Sequence, residues 1–208
     1  MNDTIGSKRP DPRCVFEVAS QQAGYFTARQ ARRCGYSWAL LSHHVKGGRF
    51  LRVRRGLYRL QQFPTSQQEE VIAAWLSLGP SEAVVSHESA LDLLGLSDVV
   101  PSAIHLMVHR SHRPGGRQRT PPGVKLHTTT RPLNRDDIVI REGVRLSSPA
   151  RAIVDAAEAG TGPEQILLAV RQAIQRGLVT RSQLIRVARG RGQRVEQLIK
   201  RALEEAAP

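Results

Sequence analysis

The sequence predicts an α+β protein: an N-terminal winged helix-turn-helix, followed by a mixed domain with a small β-sheet and a helical C-terminal part. Three observations carry this. Two short helical patterns, stopped at Gly35 and at Gly47-Gly48, lead directly into a basic, strand-like segment, Phe50-Leu-Arg-Val-Arg-Arg-Gly-Leu-Tyr-Arg-Leu60. Positive charge is concentrated in the same part: residues 1–62 hold 12 Lys/Arg against 3 Asp/Glu, a net of +9, whereas residues 63–208 contribute only +4 of the total +13. Beyond Pro64, short alternating apolar runs give way to helical spacing, as expected of a sheet followed by a helical tail.

Each element has a local cause. Residues 1–13 read as a polar leader. Apolar residues at 15, 16, 18, 19 and 23 make a helical stripe over Cys14–Ala23, stopped by Gly24. Thr27-Ala-Arg-Gln30 forms a capping box, in which the Thr hydroxyl accepts from the Gln30 amide and the Gln side chain reaches back. It opens a helix to about Cys34, and Gly35 supplies a left-handed stop. Ser37 caps the next helix, which runs to Lys46. Its Trp38, Leu41 and Val45 are expected to face the core at i, i+3 and i+7. The basic ribbon follows, with Gly56 as its turn or bulge.

The boundary between residues 14–64 and 65–208 falls where the character changes at Pro64. Thr65-Ser-Gln-Gln68 reads as another capping box, for a helix through Trp75 to Gly79. Ala83–Ser86 is strand-like and Ser86–Leu94 helical. Ile104–Val108 and Val124–Thr128 are strands, and Asp137–Arg141 turns at Glu142-Gly143 into Val144–Leu146 as a hairpin. Ser148-Pro149 starts a helix to Ala159. Further helices start at Gly162-Pro163 and at the capping box Thr180-Arg-Ser-Gln183, and a last one covers Val195–Ala206.

The 208 residues are 40% apolar but only 4% aromatic, so Ala, Val, Leu and Ile must do most of the packing. There is no apolar run of about 18 residues, the length of a membrane span, and Met1–Pro12 lacks a secretory apolar region. A cytoplasmic protein without membrane association is expected. Cys14 and Cys34 fit neither metal-ligand nor redox spacing and are expected as free thiols.

Several segments carry a family resemblance. Gly24-Tyr-Phe-Thr27, Gln30-Ala31, Gly35, Gly48 and Arg52-Val-Arg-Arg-Gly-Leu-Tyr-Arg59 resemble the N-terminal domain of AbiEi-type antitoxins. Val85-Ser-His-Glu-Ser-Ala-Leu-Asp-Leu-Leu-Gly-Leu96 and Ser148-Pro-Ala-Arg-Ala-Ile-Val-Asp155 resemble two further landmarks of that family, in the same order. The likeness spans roughly residues 15–180. It implies a transcriptional autorepressor that binds double-stranded DNA at inverted repeats in its own promoter, joined to a C-terminal domain tied to antitoxin activity. It also implies a neighbouring nucleotidyltransferase-like toxin, in a system of type IV, where the antitoxin need not touch the toxin. Some relatives lack a toxin gene, and some carry an added endonuclease-like domain, for which too few residues are expected after Asp155.

On this reading Ser37–Lys46 is the recognition helix, because it is the second of the closely spaced pair. Ala39, Ser42, His43 and Lys46 are left to meet the groove, with base choice falling to Ser42 and His43. Arg49, Arg52, Arg54, Arg55 and Arg59 decorate the wing. With Arg29, Arg32 and Arg33 on the preceding helix they are expected to grip phosphates, which set register without reading sequence. Six neutralised phosphates correspond to a log–log salt slope of about −5. An inverted repeat requires two copies, and no coiled coil is present to hold a dimer, so a monomer or weak dimer is expected.

No enzyme, cofactor or metal site is expected. His105 and His109 share a strand face, but His112 falls in the following loop, without a Cys or acidic partner. His87-Glu88 lacks the second His of the zinc-protease pattern. Asp136-Asp137 with Glu142 and Lys125 is accounted for by turn and capping roles. Gly115-Gly116 lacks the strand–helix context of a nucleotide site. The loop Arg110–Arg119, with four Arg, is either a contact loop or a solvated one. Two other functions stay open: a stand-alone winged-helix regulator, and a DNA-processing enzyme with a catalytic second domain.

Overall fold

The computed structural model describes residues 9–113, 120–131 and 133–206. The described chain divides at Pro80/Ser81 into two compact units, with Glu142–Val144 grouping with the first. The loop over 110–119 therefore lies in part, at 114–119, outside the described residues.

The first unit contains α1 (Pro12–Ser20), β1 (Tyr25–Thr27), α2 (Ala28–Arg33), α3 (Trp38–Lys46), β2 (Phe50–Arg54), β3 (Leu57–Leu60) and α4 (Glu69–Leu78). This is a winged helix-turn-helix. Three of its four helix starts use side-chain acceptors for amides that have no partner within the helix. Asp11 accepts from the amides of Arg13 and Cys14, so α1 begins inside the segment read as a leader. Thr27 and Gln30 form the anticipated capping box, and Ser37 accepts from Leu40 N–H. The strands pair antiparallel in the order β1-β3-β2. Phe26, Leu41, Phe50 and Tyr58 fill the core with Val15, Ala19 and Ala31. Phe26 stands edge-on to Phe50 at 4.9 Å and stacks on Tyr58 at 5.7 Å, so the scarce aromatics are spent in one place. Gly24 is needed where it stands: its φ is +85°, and an added Cβ would lie 2.6 Å from the Phe63 side chain.

Three expectations about the fold of this unit fail. Cys14 and Cys34 are not free thiols but a disulfide, with Cα atoms 5.7 Å apart. The start of α1 lies against the end of α2, where Asp11 N–H donates to the Cys34 carbonyl at 2.9 Å, and this contact brings the sulfurs together. A separation of 20 residues matches no short motif, and so the pairing is invisible to spacing. Trp38 is not a core residue: it is 56% exposed, with Leu41 buried and Val45 half-buried beneath α3. Thr65 makes no capping box either. Gln68 is the N-cap of α4 without a side-chain bond, and the Glu69 carboxylate accepts from Ser66 N–H.

The second unit is built on a mixed sheet of order β6-β5-β4-β8-β7, from β4 (Ala83–Val85), β5 (Ile104–His109), β6 (Val124–Thr129), β7 (Ile138–Arg141) and β8 (Val144–Ser147). β4 runs antiparallel to β5 and parallel to β8, and β5 runs parallel to β6. Helices α5 (His87–Leu94), α6 (Pro149–Ala159), α7 (Pro163–Gln175), α8 (Arg181–Ala188) and α9 (Gln193–Glu205) complete the unit. α6 is buried along almost its whole length, which its Ala-rich sequence permits because small side chains let neighbours approach closely. Ile153, Ile166, Leu184 and Ile199 knit the helices into one core with Leu91 and Leu96. No helix among the described residues is long and apolar enough to cross a membrane.

Candidate nucleic-acid interface and a buried polar cluster

The α3 surface and the wing present most of the expected basic and polar residues. Ser42, His43 and Lys46 are exposed along α3, and Ala39 with them. Trp38, expected inside, joins this face, with the Arg32 guanidinium 5.7 Å from its ring centroid. Arg29 and Arg33 are exposed on α2, while Arg32 is half-buried. His44 turns inward against Phe50 at 5.0 Å, and burial, then the charges of Arg49 and His43, lower its pKa. It is accordingly a neutral ring supporting the helix.

β2 is an edge strand, so Arg52 and Arg54 remain exposed, as do Arg49 before it and Arg55 at the turn. Pairing shifts between Arg52 and Arg54, which gives the ribbon an irregularity ahead of the turn. Gly56, at φ +76°, supplies the left-handed turn residue.

Arg59 does not belong to this set. It is only 7% exposed, on the central strand, and its Nη2 donates to the Glu69 carboxylate at 2.7 Å and to the carbonyls of Phe63 and Pro64. The guanidinium also lies 5.6 Å from the Tyr25 ring centroid. Side chains two apart on a strand share a face, and the face of Leu57 and Arg59 is covered. Arg59 is a buried tie between the wing and α4. Burial and the adjacent Glu69 carboxylate raise the Tyr25 phenol above its ordinary pKa, so it stays a neutral donor to Glu69.

In the second unit the three histidines weighed in the sequence part company. His109 is half-buried at the end of β5 and His112 is exposed on the short turn Arg110–His112, where it pairs with Glu82 at 3.1 Å. His105 is buried and meets two histidines the sequence reading did not connect with it: His87 at the start of α5, and His127 on β6. His127 Nε2 lies 3.2 Å from His105 Nδ1, and the rings of His87 and His127 stack with centroids 3.5 Å apart. Burial, reinforced by its neighbours, drives His87 down to about 2 and His127 to about 4, so both are neutral near pH 7. His87 also holds φ +52°, a conformation costing about 1–3 kcal/mol for a side chain of this kind. The β5–β6 register, His105 beside Lys125 and Met107 beside His127, brings these residues together. No sequence spacing reports that register.

A second buried group explains a landmark. Arg151 and Asp155, one turn apart on α6, pair at 2.9 Å, and Arg191 reaches Asp155 at 3.0 Å from between Gly190 and Gly192. Asp137 lies 3.5 Å from Arg151. Burial raises the Asp155 pKa against the opposing pull of both arginines. Arg131, Arg151 and Arg191 line a cavity of about 470 Å³, whose wall also includes His87 and His127.

The described chain thus combines a winged helix-turn-helix bearing an exposed basic ribbon with an α+β unit that ends in helices, the two-part organisation that its family matches identify. Residues 15–61 match the family model described as a transcriptional regulator, AbiEi antitoxin, and residues 83–205 match that of the AbiEi antitoxin C-terminal domain. The chain belongs to the AbiEi antitoxin family, whose members are regulatory proteins. Among curated proteins none matches it with significance. Among solved structures, the crystal structure of the RV2827C protein from Mycobacterium tuberculosis is similar in fold, with a TM-score of 0.61 and 14% identity over 97% of this chain and 80% of that one.

Proposed function

We propose that this protein is a DNA-binding antitoxin that represses its own operon and counteracts a nucleotidyltransferase-like toxin. The observation that carries the reading is the exposed basic surface of Arg49, Arg52, Arg54 and Arg55 beside α3, within the segment that matches the regulator family. In this reading Arg29, Arg33, Lys46 and the wing arginines meet phosphates, while Ser42 and His43 face base edges. Trp38 joins the contact surface, with Arg32 held against it. Arg59 contributes by holding the wing in place. DNA binding is assigned to residues 14–64 and antitoxin activity to residues 65–208. Because Glu69 anchors Arg59, a fragment testing DNA binding should run to Pro80 rather than stop at Pro64. Two copies occupy an inverted-repeat operator.

The test is fluorescence anisotropy of the full chain on its own upstream DNA across a salt series. A log–log slope near −6 is expected from these seven cations, and replacing Arg52, Arg54 and Arg55 together by Ala should lessen it by about 2.7, roughly 0.9 per lost phosphate contact. A slope near zero would refute the DNA-binding half. For the antitoxin half, co-expression with the adjacent gene should relieve its toxicity. A neighbour that is harmless alone would leave a stand-alone regulator instead.

A further inference from the structure

We propose that His87, His105 and His127 form a binding site for one divalent transition-metal ion of the zinc class, in the C-terminal unit and distinct from the DNA-binding surface. One ring nitrogen from each of the three lies within 4.8 Å of the other two. Tetrahedral zinc with bonds of about 2.0–2.1 Å places its ligand nitrogens about 3.4 Å apart. His105 Nδ1 and His127 Nε2 already stand 3.2 Å apart, so rotation of the His87 ring out of its stack closes most of the set.

The surroundings select one nitrogen on two of the rings. Ser86 Oγ engages His87 Nδ1 at 2.9 Å, which leaves Nε2 as its ligand atom. His105 directs Nε2 toward the Glu88 carboxylate, 3.9 Å away, and leaves Nδ1 for the metal. Glu88 is in turn held by the Thr161 hydroxyl at 2.8 Å. A ligating histidine whose other ring nitrogen faces a carboxylate or hydroxyl is the usual outer arrangement of such sites, because it fixes the tautomer and raises ligand basicity. A set of imidazoles suits Zn²⁺, Co²⁺ or Ni²⁺ rather than Mg²⁺ or Ca²⁺, which prefer oxygen. His87 and His127 also line the arginine-bordered cavity, so the fourth position opens toward it and is available to water or an anion.

The experiment uses the tag-free full-length chain, stripped with chelator and titrated with Co²⁺, then with Zn²⁺ against a chromophoric chelator. Expected are one Co²⁺ per chain with the strong visible bands of a four-coordinate site, and their loss on adding Zn²⁺. His127→Gln should weaken Zn²⁺ binding at least tenfold, and His109→Ala/His112→Ala should leave it unchanged. Nitrogen-15 spectra of wild type follow the 7 histidines directly, so the test survives if His127→Gln fails to fold. One equivalent of Zn²⁺ should shift three of them, assigned to His87, His105 and His127. Absence of stoichiometric binding, binding unchanged in a folded His127→Gln, or shifts confined to other histidines each overturn the site.

Discussion

Replacing Arg59 by Met separates the two roles a wing arginine can have. If Arg59 ties β3 to α4, its loss unpairs the Glu69 carboxylate and leaves the carbonyls of Phe63 and Pro64 without this donor. The pair is well enclosed, with side chains 8% and 21% exposed, and removing one member of a buried pair costs about 3–5 kcal/mol. Glu69 keeps some solvent, together with donors from Ser66 N–H and the Tyr25 hydroxyl. That places the expected loss at the low end, about 3 kcal/mol. With a urea slope of about 1.5 kcal/mol per molar, the midpoint falls by about 2 M. Both tryptophans, Trp38 and Trp75, lie in the first unit, so indole emission during urea denaturation follows that unit alone. Under conditions where the variant is folded, its DNA salt slope should equal wild type's. An unchanged urea midpoint together with a slope smaller by about 0.9 would show that Arg59 grips a phosphate and is not a structural tie.

Two further outcomes test other parts of the fold. Cys14→Ser/Cys34→Ser, or reduction of wild type, should cost the first unit about 3 kcal/mol, from the entropy of a loop closed over about 20 residues; a urea midpoint by indole emission indifferent to reductant would remove the disulfide from the account. Arg151→Met should destabilise the second unit by about 3–5 kcal/mol at neutral pH, since it leaves the Asp155 carboxylate with Arg191 alone. Burial raises the Asp155 pKa above 3.8, so the folded chain takes up its proton more readily than the unfolded one. Any stability from this is present at low pH and lost as pH rises through the raised value. The Arg151→Met deficit, followed by thermal circular dichroism of the helix signal, should therefore shrink on acidification, and a deficit that grows would contradict it.

Local signals in the sequence reached far into this structure. The Thr27–Gln30 and Thr180–Gln183 capping boxes, the Ser37 cap and the Pro149 helix start depend on neighbours within four residues, and all four stand where they were expected. The wing was legible because turn chemistry and strand alternation are also local. Thr65–Gln68 shows the limit of such signals: the same pattern is present, but Glu69 is drawn to Arg59 and caps Ser66 instead.

By itself, then, the sequence determined the α+β class, the order of the helices and of the strands other than the short β1, and the basic character of the α3 and wing surface, since each depends on backbone preference or on charge count. Tertiary structure decided which charges stay on that surface. Arg52 and Arg54 lie on an edge strand and Arg59 on a central one beneath α4, a difference set by strand order. It also decided that Cys14 meets Cys34 and that His87, His105 and His127 converge, because helix packing and sheet register bring together residues that no spacing along the chain connects.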